Sequence, residues 1–178
     1  THDDMKLLPW WKRKFMNSTM VVPSSVATCK TSQGSTIATL AYLAAAEDLA
    51  LISVWSPTFA LNLLDQLASC QDEISRIIKY KHWGAWQNEL AHLPPPQSKR
   101  ASDILKSWDG KVESQFLREL WPNLAMLSSW ESSTSKIWAE KLKQLFPWCD
   151  FLPKGLWSTE GVVSIFYNNT FPLAVNSH

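Results

Sequence analysis

Ala50-Leu51-Ile52-Ser53-Val54-Trp55-Ser56-Pro57 is the stretch on which the fold class turns. Its first six residues form a short β-prone run, and the Ser-Pro pair ends it. Ser56 is placed to cap a helix, and Pro57 suits the first helical turn, where its missing N–H has no helical partner anyway. A strand passing directly into a helix is the repeating unit of α/β proteins. Upstream, Ser35 to Leu49 is rich in Ala and Leu and apolar on nearly all sides, which predicts a helix covered by both a sheet and other helices. Downstream, Phe59, Leu63, Leu64, Leu67, Ile74, Ile77 and Ile78 keep amphipathic helical spacing over Thr58 to Tyr80, with a break near Cys70.

The alternation continues. Lys81 to Gln97 holds Gly84 and Pro94-Pro95-Pro96, so the preceding helix stops by Leu93, and residues 81–100 read as a stiff surface connection. Ala101–Trp108 and Val112–Leu120 are short helical candidates. Leu124 to Trp130 is strand-like. Thr134 to Phe146 follows as a helix, with Ser132 or Ser133 as its cap and Ile137, Trp138, Leu142, Leu145 and Phe146 on the buried side. Trp148–Leu152 is a further short strand, Lys154-Gly155 a tight turn, and Val162 to Tyr167 the clearest strand, β-branched and aromatic. Apolar runs without strict alternation fit strands covered on both faces. The expectation is one α/β domain spanning 1–178, a mostly parallel sheet flanked by helices.

Composition narrows the function classes. With 46% hydrophobic and 19% charged residues over 178 positions, the chain can bury a sizeable core and is not disordered throughout. A formal charge of +1, with basic residues scattered, argues against a nucleic-acid partner, since phosphate neutralisation needs concentrated positive charge. The densest cluster, Lys12, Arg13 and Lys14 beside Trp10 and Trp11, reads as a solvated helix face. Cys29, Cys70 and Cys149 are far apart and odd in number, which predicts buried thiols rather than disulfides or zinc ligands. No run is long and apolar enough to cross a bilayer, and Thr-His-Asp-Asp at the start is not a secretory leader, so a cytoplasmic location is expected. On that ground the acceptor patterns at Asn17 and Asn168 are read as accidental.

Two segments can carry chemistry. Lys154-Gly155-Leu156-Trp157-Ser158-Thr159-Glu160-Gly161 lies between two expected strands, where open α/β sheets hold ligands at their carboxyl ends. Thr159 offers a hydroxyl to a phosphate, Glu160 a hard oxygen to Mg²⁺, and Gly155 permits close approach of a ligand. An ordinary surface turn accounts for the same residues. Ser129-Trp130-Glu131-Ser132-Ser133 sits at another strand-to-helix junction, where free N–H groups favour an anion. The plainer account is that Ser132 and Ser133 cap the helix while Trp130 fills the core. Gly34, in Thr31-Ser32-Gln33-Gly34-Ser35-Thr36, lacks the flanking glycine and lysine of a P-loop and reads as a loop and helix cap. His2, His82, His92 and His178 are dispersed and form no zinc pair.

Four pieces of the chain resemble the GH3 auxin-responsive family of acyl-acid amido synthetases, especially its bacterial homologues, within the adenylate-forming superfamily. They are Lys6-Leu7-Leu8-Pro9; Ala50 through Phe59; Leu120-Trp121-Pro122-Asn123-Leu124 leading to Ser129-Trp130; and Leu145-Phe146-Pro147 followed by Lys154 through Ser164. The resemblance implies part of the large N-terminal domain of such an enzyme. It also implies a parent that activates a carboxylic acid with Mg-ATP and passes the acyl group to an amine or amino acid. By the same resemblance Ser158, Thr159 and Glu160 form the second nucleotide motif, with Thr159 on the AMP moiety and Glu160 on Mg²⁺. Gly155 belongs to that motif, Ser129-Trp130-Glu131-Ser132 flanks the adenine, and Ser56-Pro57-Thr58 lines the acyl pocket.

Departures qualify the inheritance. No Ser/Thr/Gly-rich phosphate loop precedes Lys6, Pro153 stands where the family has glycine before the lysine, and nothing after Val163 resembles the third nucleotide motif. The chain is therefore expected to be an internal or truncated portion without independent catalysis. The alternative is a degenerate homologue acting as a binding module through tryptophans such as Trp83, Trp86, Trp108 and Trp138. If the chain is complete, its open strand edges lead to an expectation of self-association or marginal stability. Thr159 and Glu160 are expected in a bend between adjacent parallel β-segments.

Overall fold

A computed structural model describes residues 9–10, 19–155, 157–158, 161–170 and 172. Lys6–Leu8, Trp11–Lys14, Asn17, His2, His178, Leu156, Thr159 and Glu160 lie outside the described residues.

The first long helix, α1 (Ser32–Ala45), begins at Thr31, whose hydroxyl accepts a hydrogen bond from the Gly34 N–H at 2.9 Å. That satisfies one orphan donor of the first turn. Its Ala- and Leu-rich surface buries Ile37, Ala38, Leu40, Ala41 and Ala44. Strand β1 (Leu51–Ser53) follows, then α2 (Pro57–Ser69) and α3 (Gln71–Tyr80), which meet at Cys70 where the break is expected. Lys81, at φ 50°, ends α3 in the left-handed region.

The proline-bearing connection carries a 3₁₀ turn (Gly84–Trp86) and the single-turn α4 (Gln87–Leu90). It contributes buried Trp83, Leu90 and Leu93, and the Trp83 indole N–H donates to the Leu93 carbonyl at 2.8 Å. Helices α5 (Lys99–Ser107) and α6 (Ser114–Leu120) lead to β2 (Met126–Trp130). The short turn Ser133–Ser135 precedes α7 (Lys136–Leu145), and β3 (Asp150–Lys154) completes the sheet. Helices α3 and α5 pack so closely that the Ser75 and Ser102 hydroxyls, both buried, bond each other and each other's carbonyls at 3.0–3.1 Å.

The fold class departs from expectation. Strand pairing is parallel, in the order β1-β2-β3, but helix outweighs strand at 54% against 11%. The molecule is a mostly helical bundle around a small three-stranded sheet, not a mostly parallel sheet with helical cover. The runs pair only in part, over three residues in β1 and five in each of β2 and β3, the last displaced to Asp150–Lys154 from the expected Trp148–Leu152. The sheet is also covered unequally. Ile52, Val54 and Leu127 face an apolar cavity with Leu64, Leu142 and Phe146, whereas Leu51, Met126 and Leu152 on the opposite face are exposed.

Val162–Tyr167 is not a strand. Among the described residues, pairing there consists of β4 (Trp157–Ser158) with β5 (Gly161–Val162), a single bridge at Ser164, and a bridge between Tyr167 and Thr170. Asn168 and Asn169, at φ 47° and 59°, close a tight turn between those two, a conformation Asn tolerates better than β-branched residues. Three residues expected in the core are exposed: Phe59 at 56%, Ile137 at 68% and Trp138 at 42%. Helix α7 instead buries Ala139 and Leu142, a narrower stripe than its apolar content predicts. Neither Ser132 nor Ser133 caps α7 with its side chain, and Ser56 holds the Thr58 hydroxyl at 2.6 Å rather than a backbone N–H.

Candidate functional site at the carboxyl edge of the sheet

Because β1, β2 and β3 run parallel, their carboxyl ends share one edge. That edge gathers residues far apart in sequence: Ser53 to Ser56, Trp130 to Ser132, and Lys154 to Gly155. Backbone bonds hold the pieces in register, with the Trp130 N–H donating to the Trp55 carbonyl at 2.9 Å and the Val54 N–H to the Ser128 carbonyl at 2.9 Å. The Trp55 and Trp130 rings meet at 5.7 Å between centroids. Lys154, opposite Trp130 in the ladder, reaches back to β1. Its Nζ donates to Ser53 Oγ at 2.8 Å and lies 5.1 Å from the centre of the Trp55 ring. Burial holds the Lys154 ammonium below its ordinary range, because desolvation disfavours the charged form.

The expected site residues take different roles here. Ser129 is fully buried, and its hydroxyl donates to the neighbouring Trp130 carbonyl at 3.3 Å, so it is part of the strand. Trp130 borders the edge. Glu131 is paired with Lys143 of α7, which also holds Glu140 at 3.2 Å. Burial alone pulls the Lys143 pKa down, but its bonds to the two carboxylates outweigh this and raise it. Ser132 is exposed, and the next residue, Ser133, has φ 53°, a left-handed conformation that costs a non-glycine residue about 1 kcal/mol. Such strain fits a loop whose shape is set by function or by its neighbours.

Lys154-Gly155 is not a tight turn, since β3 runs through Lys154. Gly155 is required by close packing: a Cβ there would stand 2.7 Å from the Ser164 carbonyl carbon and 2.9 Å from Ile165 Cα. It is filled by chain, not open for a ligand. Ser158 lies in β4 and pairs with Gly161 of β5 in antiparallel register. The segments flanking Thr159 and Glu160 are thus antiparallel, contrary to the parallel arrangement expected.

Among the described residues no three His, Cys, Asp or Glu side chains gather to hold a metal. Glu131 is neutralised by Lys143, and Asp150 sits at the far end of β3, so the described residues do not make a Mg²⁺ ligand set. Sequence reasoning missed Lys154, Ser53 and Trp55 as a unit. The clue was available, in that a lysine closing one strand and a tryptophan closing another share the carboxyl edge once the strands are parallel.

The model of the GH3 family N-terminal domain matches residues 3–151. The chain belongs to the GH3 family. Among solved structures, the GH3 chain is similar to "GH3.15 acyl acid amido synthetase", with TM-score 0.72 and 16% identity over 92% of this chain and 31% of that one. It is also similar to "AtGH3.15 acyl acid amido synthetase in complex with 2,4-DB", with TM-score 0.64 and 15% identity over 83% of this chain and 27% of that one. At such identities the likeness concerns the fold, and the GH3 chain spans about a third of those structures' length. No curated protein matches it. No helix among the described residues is long and apolar enough to cross a membrane.

Proposed function

We propose that this chain forms one wall of the crevice in which a GH3-type adenylate-forming ligase activates a carboxylic acid with ATP before acyl transfer to an amine or amino acid. One observation carries the reading: in a GH3 chain, the carboxyl edge of a parallel sheet brings Trp55, Trp130 and the Glu131–Ser132 loop together, and Lys154 opens the segment leading to Ser158. Carboxyl edges are where open α/β sheets hold ligands, because strand ends and helix starts leave backbone donors unused there. In this reading Trp130 and the following loop lie beside the adenine, while Thr159 and Glu160 serve the AMP moiety and the metal. Glu131, held by Lys143, shapes the loop instead of meeting the ligand.

Binding and turnover are separable. One wall of a crevice retains some affinity for AMP, whereas rate depends on positioning by the whole crevice. The test is two-part. AMP should bind the chain and protect the 130–133 loop from hydrogen exchange, whereas acid-dependent exchange of labelled pyrophosphate into ATP should be at background. AMP that leaves that loop's exchange unchanged would remove the basis for the reading.

A further inference from the structure

The outward row at the end of the sheet, Trp55, Trp130 and Lys154, is rich in donors and poor in acceptors. The Lys154 ammonium has three N–H donors and gives one to Ser53 Oγ at 2.8 Å. Among the described residues no carboxylate pairs with it, although Lys143 across the site pairs with two. Its charge is half-buried and rests on the Trp55 ring, 5.1 Å from the centre, an attraction that steadies a cation without neutralising it. Next to it in register, the Trp130 indole N–H is sealed from solvent and has no acceptor among the described residues. A buried donor without a partner is destabilising, and a desolvated cation without a counter-ion more so. Two such deficits side by side, of the same sign, are met by one kind of group.

We propose that Trp55, Trp130 and Lys154 form an oxyanion subsite, which takes a carboxylate or phosphate group of the ligand at the carboxyl edge. Lys154 supplies the charge, Trp130 an N–H donor, and Trp55 the platform that keeps the ammonium from folding back to solvent. The assignment rests on the crevice reading above and adds to it a specific anion-binding residue, Lys154. Within that reaction the anion has two sources, the acyl acid's carboxylate or the nucleotide's phosphate, and both present the same trigonal or tetrahedral oxygens to the row.

The experiment uses the whole chain with ¹⁵N-labelled tryptophan. The indole signals are followed during titration with AMP, inorganic phosphate, benzoate and, as an uncharged control, adenosine. Phosphate and benzoate, which carry no adenine, are expected to move the Trp130 signal in the parent and not in Lys154→Gln, whereas any shift caused by adenosine, through the adenine alone, should be the same in both. A charge-assisted bond of about 1.5–3 kcal/mol corresponds to a loss of roughly 10- to 100-fold in anion affinity for Lys154→Gln. Lys154→Arg should recover most of it, and Trp130→Phe should weaken binding measured by calorimetry without touching the charge. Circular-dichroism melts of the three variants separate lost binding from lost folding. Phosphate tighter than benzoate assigns the row to the nucleotide, and the reverse assigns it to the acid.

Anion affinity unchanged in both Lys154→Gln and Trp130→Phe, or a Trp130 signal unmoved by every anion, overturns the subsite. If AMP still protects the 130–133 loop in that case, the crevice reading survives alone. Phosphate bound through Lys154, with AMP no tighter than phosphate and no loop protection, would leave the subsite standing and remove the adenylate reading.

Discussion

Gly34 and Glu89 provide a stability test in which one substitution should change sign. The Glu89 carboxylate sits at the start of α1, where it accepts from the Thr31 N–H at 2.8 Å and from the Thr31 hydroxyl at 2.9 Å. It thereby ties the 84–90 connection to a helix N-terminus, where a negative charge is favoured. A Cβ on Gly34 would lie 2.6 Å from Glu89 Cδ and 2.9 Å from Oε2, with Oε1 closer still, so Gly34→Ala must expel the carboxylate. Two charge-assisted bonds, discounted for partial exposure, are worth about 1–2 kcal/mol. Replacing a helical glycine by alanine returns about 1 kcal/mol.

Glu89→Ala alone should therefore destabilise by about 1–2 kcal/mol, or about 2–8 °C in Tm for a chain of this size. Gly34→Ala should be neutral to destabilising by up to about 1 kcal/mol in the parent, yet stabilising by about 1 kcal/mol in the Glu89→Ala background. Urea unfolding of the four proteins measures the coupling. Equal effects of Gly34→Ala in both backgrounds would show that the carboxylate does not occupy that position, and the reasoning would fail.

Three further outcomes follow from the same coordinates. Glu131→Gln removes the charged partner of Lys143 and should lower stability by about 1 kcal/mol or less while raising hydrogen exchange over Ser132–Ser135; unchanged exchange there would mean that the pair does not shape the loop. The apolar cavity of about 30 Å³ beside Ala60, Leu64 and Phe146 has room for about one methylene, so Ala60→Ser should gain nothing, whereas a variant adding one methylene, such as Val54→Ile, should raise the urea midpoint by up to about 0.8 kcal/mol equivalent. Burial raises the thiols of Cys29, Cys70 and Cys149 above their ordinary 9.0, so between that value and their folded values the unfolded chain releases protons that the folded chain keeps. Stability should thus fall as pH climbs past about 9, Tyr42 adding to the fall and Lys154, shifted the other way, opposing it. Replacing the three cysteines by alanine should flatten that limb, and a midpoint steady or rising above pH 9 in the parent would contradict the sign.

Local chemistry was legible in the sequence where one residue type has one physical use. Pro57 does open a helix and Cys70 does mark the break between α2 and α3, whereas Gly34, read as a loop and cap before a helix from Ser35, lies inside α1, whose cap is Thr31. The extent of the sheet was not legible, because a short apolar run reads alike whether three residues pair or seven. Val162–Tyr167 shows the limit: its composition is that of a strand, but the Asn168-Asn169 turn and the close contact of Ser164 with Gly155 give it other work. Ile137 and Trp138 misled for a related reason, since periodicity locates an apolar face but not whether a neighbour covers it. At the candidate site, Trp130 and Glu131 were singled out by position after a strand. Glu131's commitment to Lys143, twelve residues on, exists only once α7 folds back beside the end of β2, and Lys154's reach to Ser53, 101 residues back, only once the strands are aligned.

The placement of these groups separates stability from binding in a way that bears on every variant above. Most of the large buried side chains, among them Trp83, Leu105, Leu117 and Phe146, belong to the helices and their connections. The Trp55–Trp130–Lys154 row instead lies on the exposed end of a sheet whose other face carries the core. A half-buried lysine with no carboxylate partner among the described residues contributes little to folding, and its desolvation opposes it. Lys154→Gln should accordingly leave the melting temperature level or raise it while weakening anion binding. That pairing is hard to explain for a residue kept only for structure, because a structural lysine loses stability when its charge is removed. A group that costs stability in the free chain and recovers it on binding is what a ligand subsite requires.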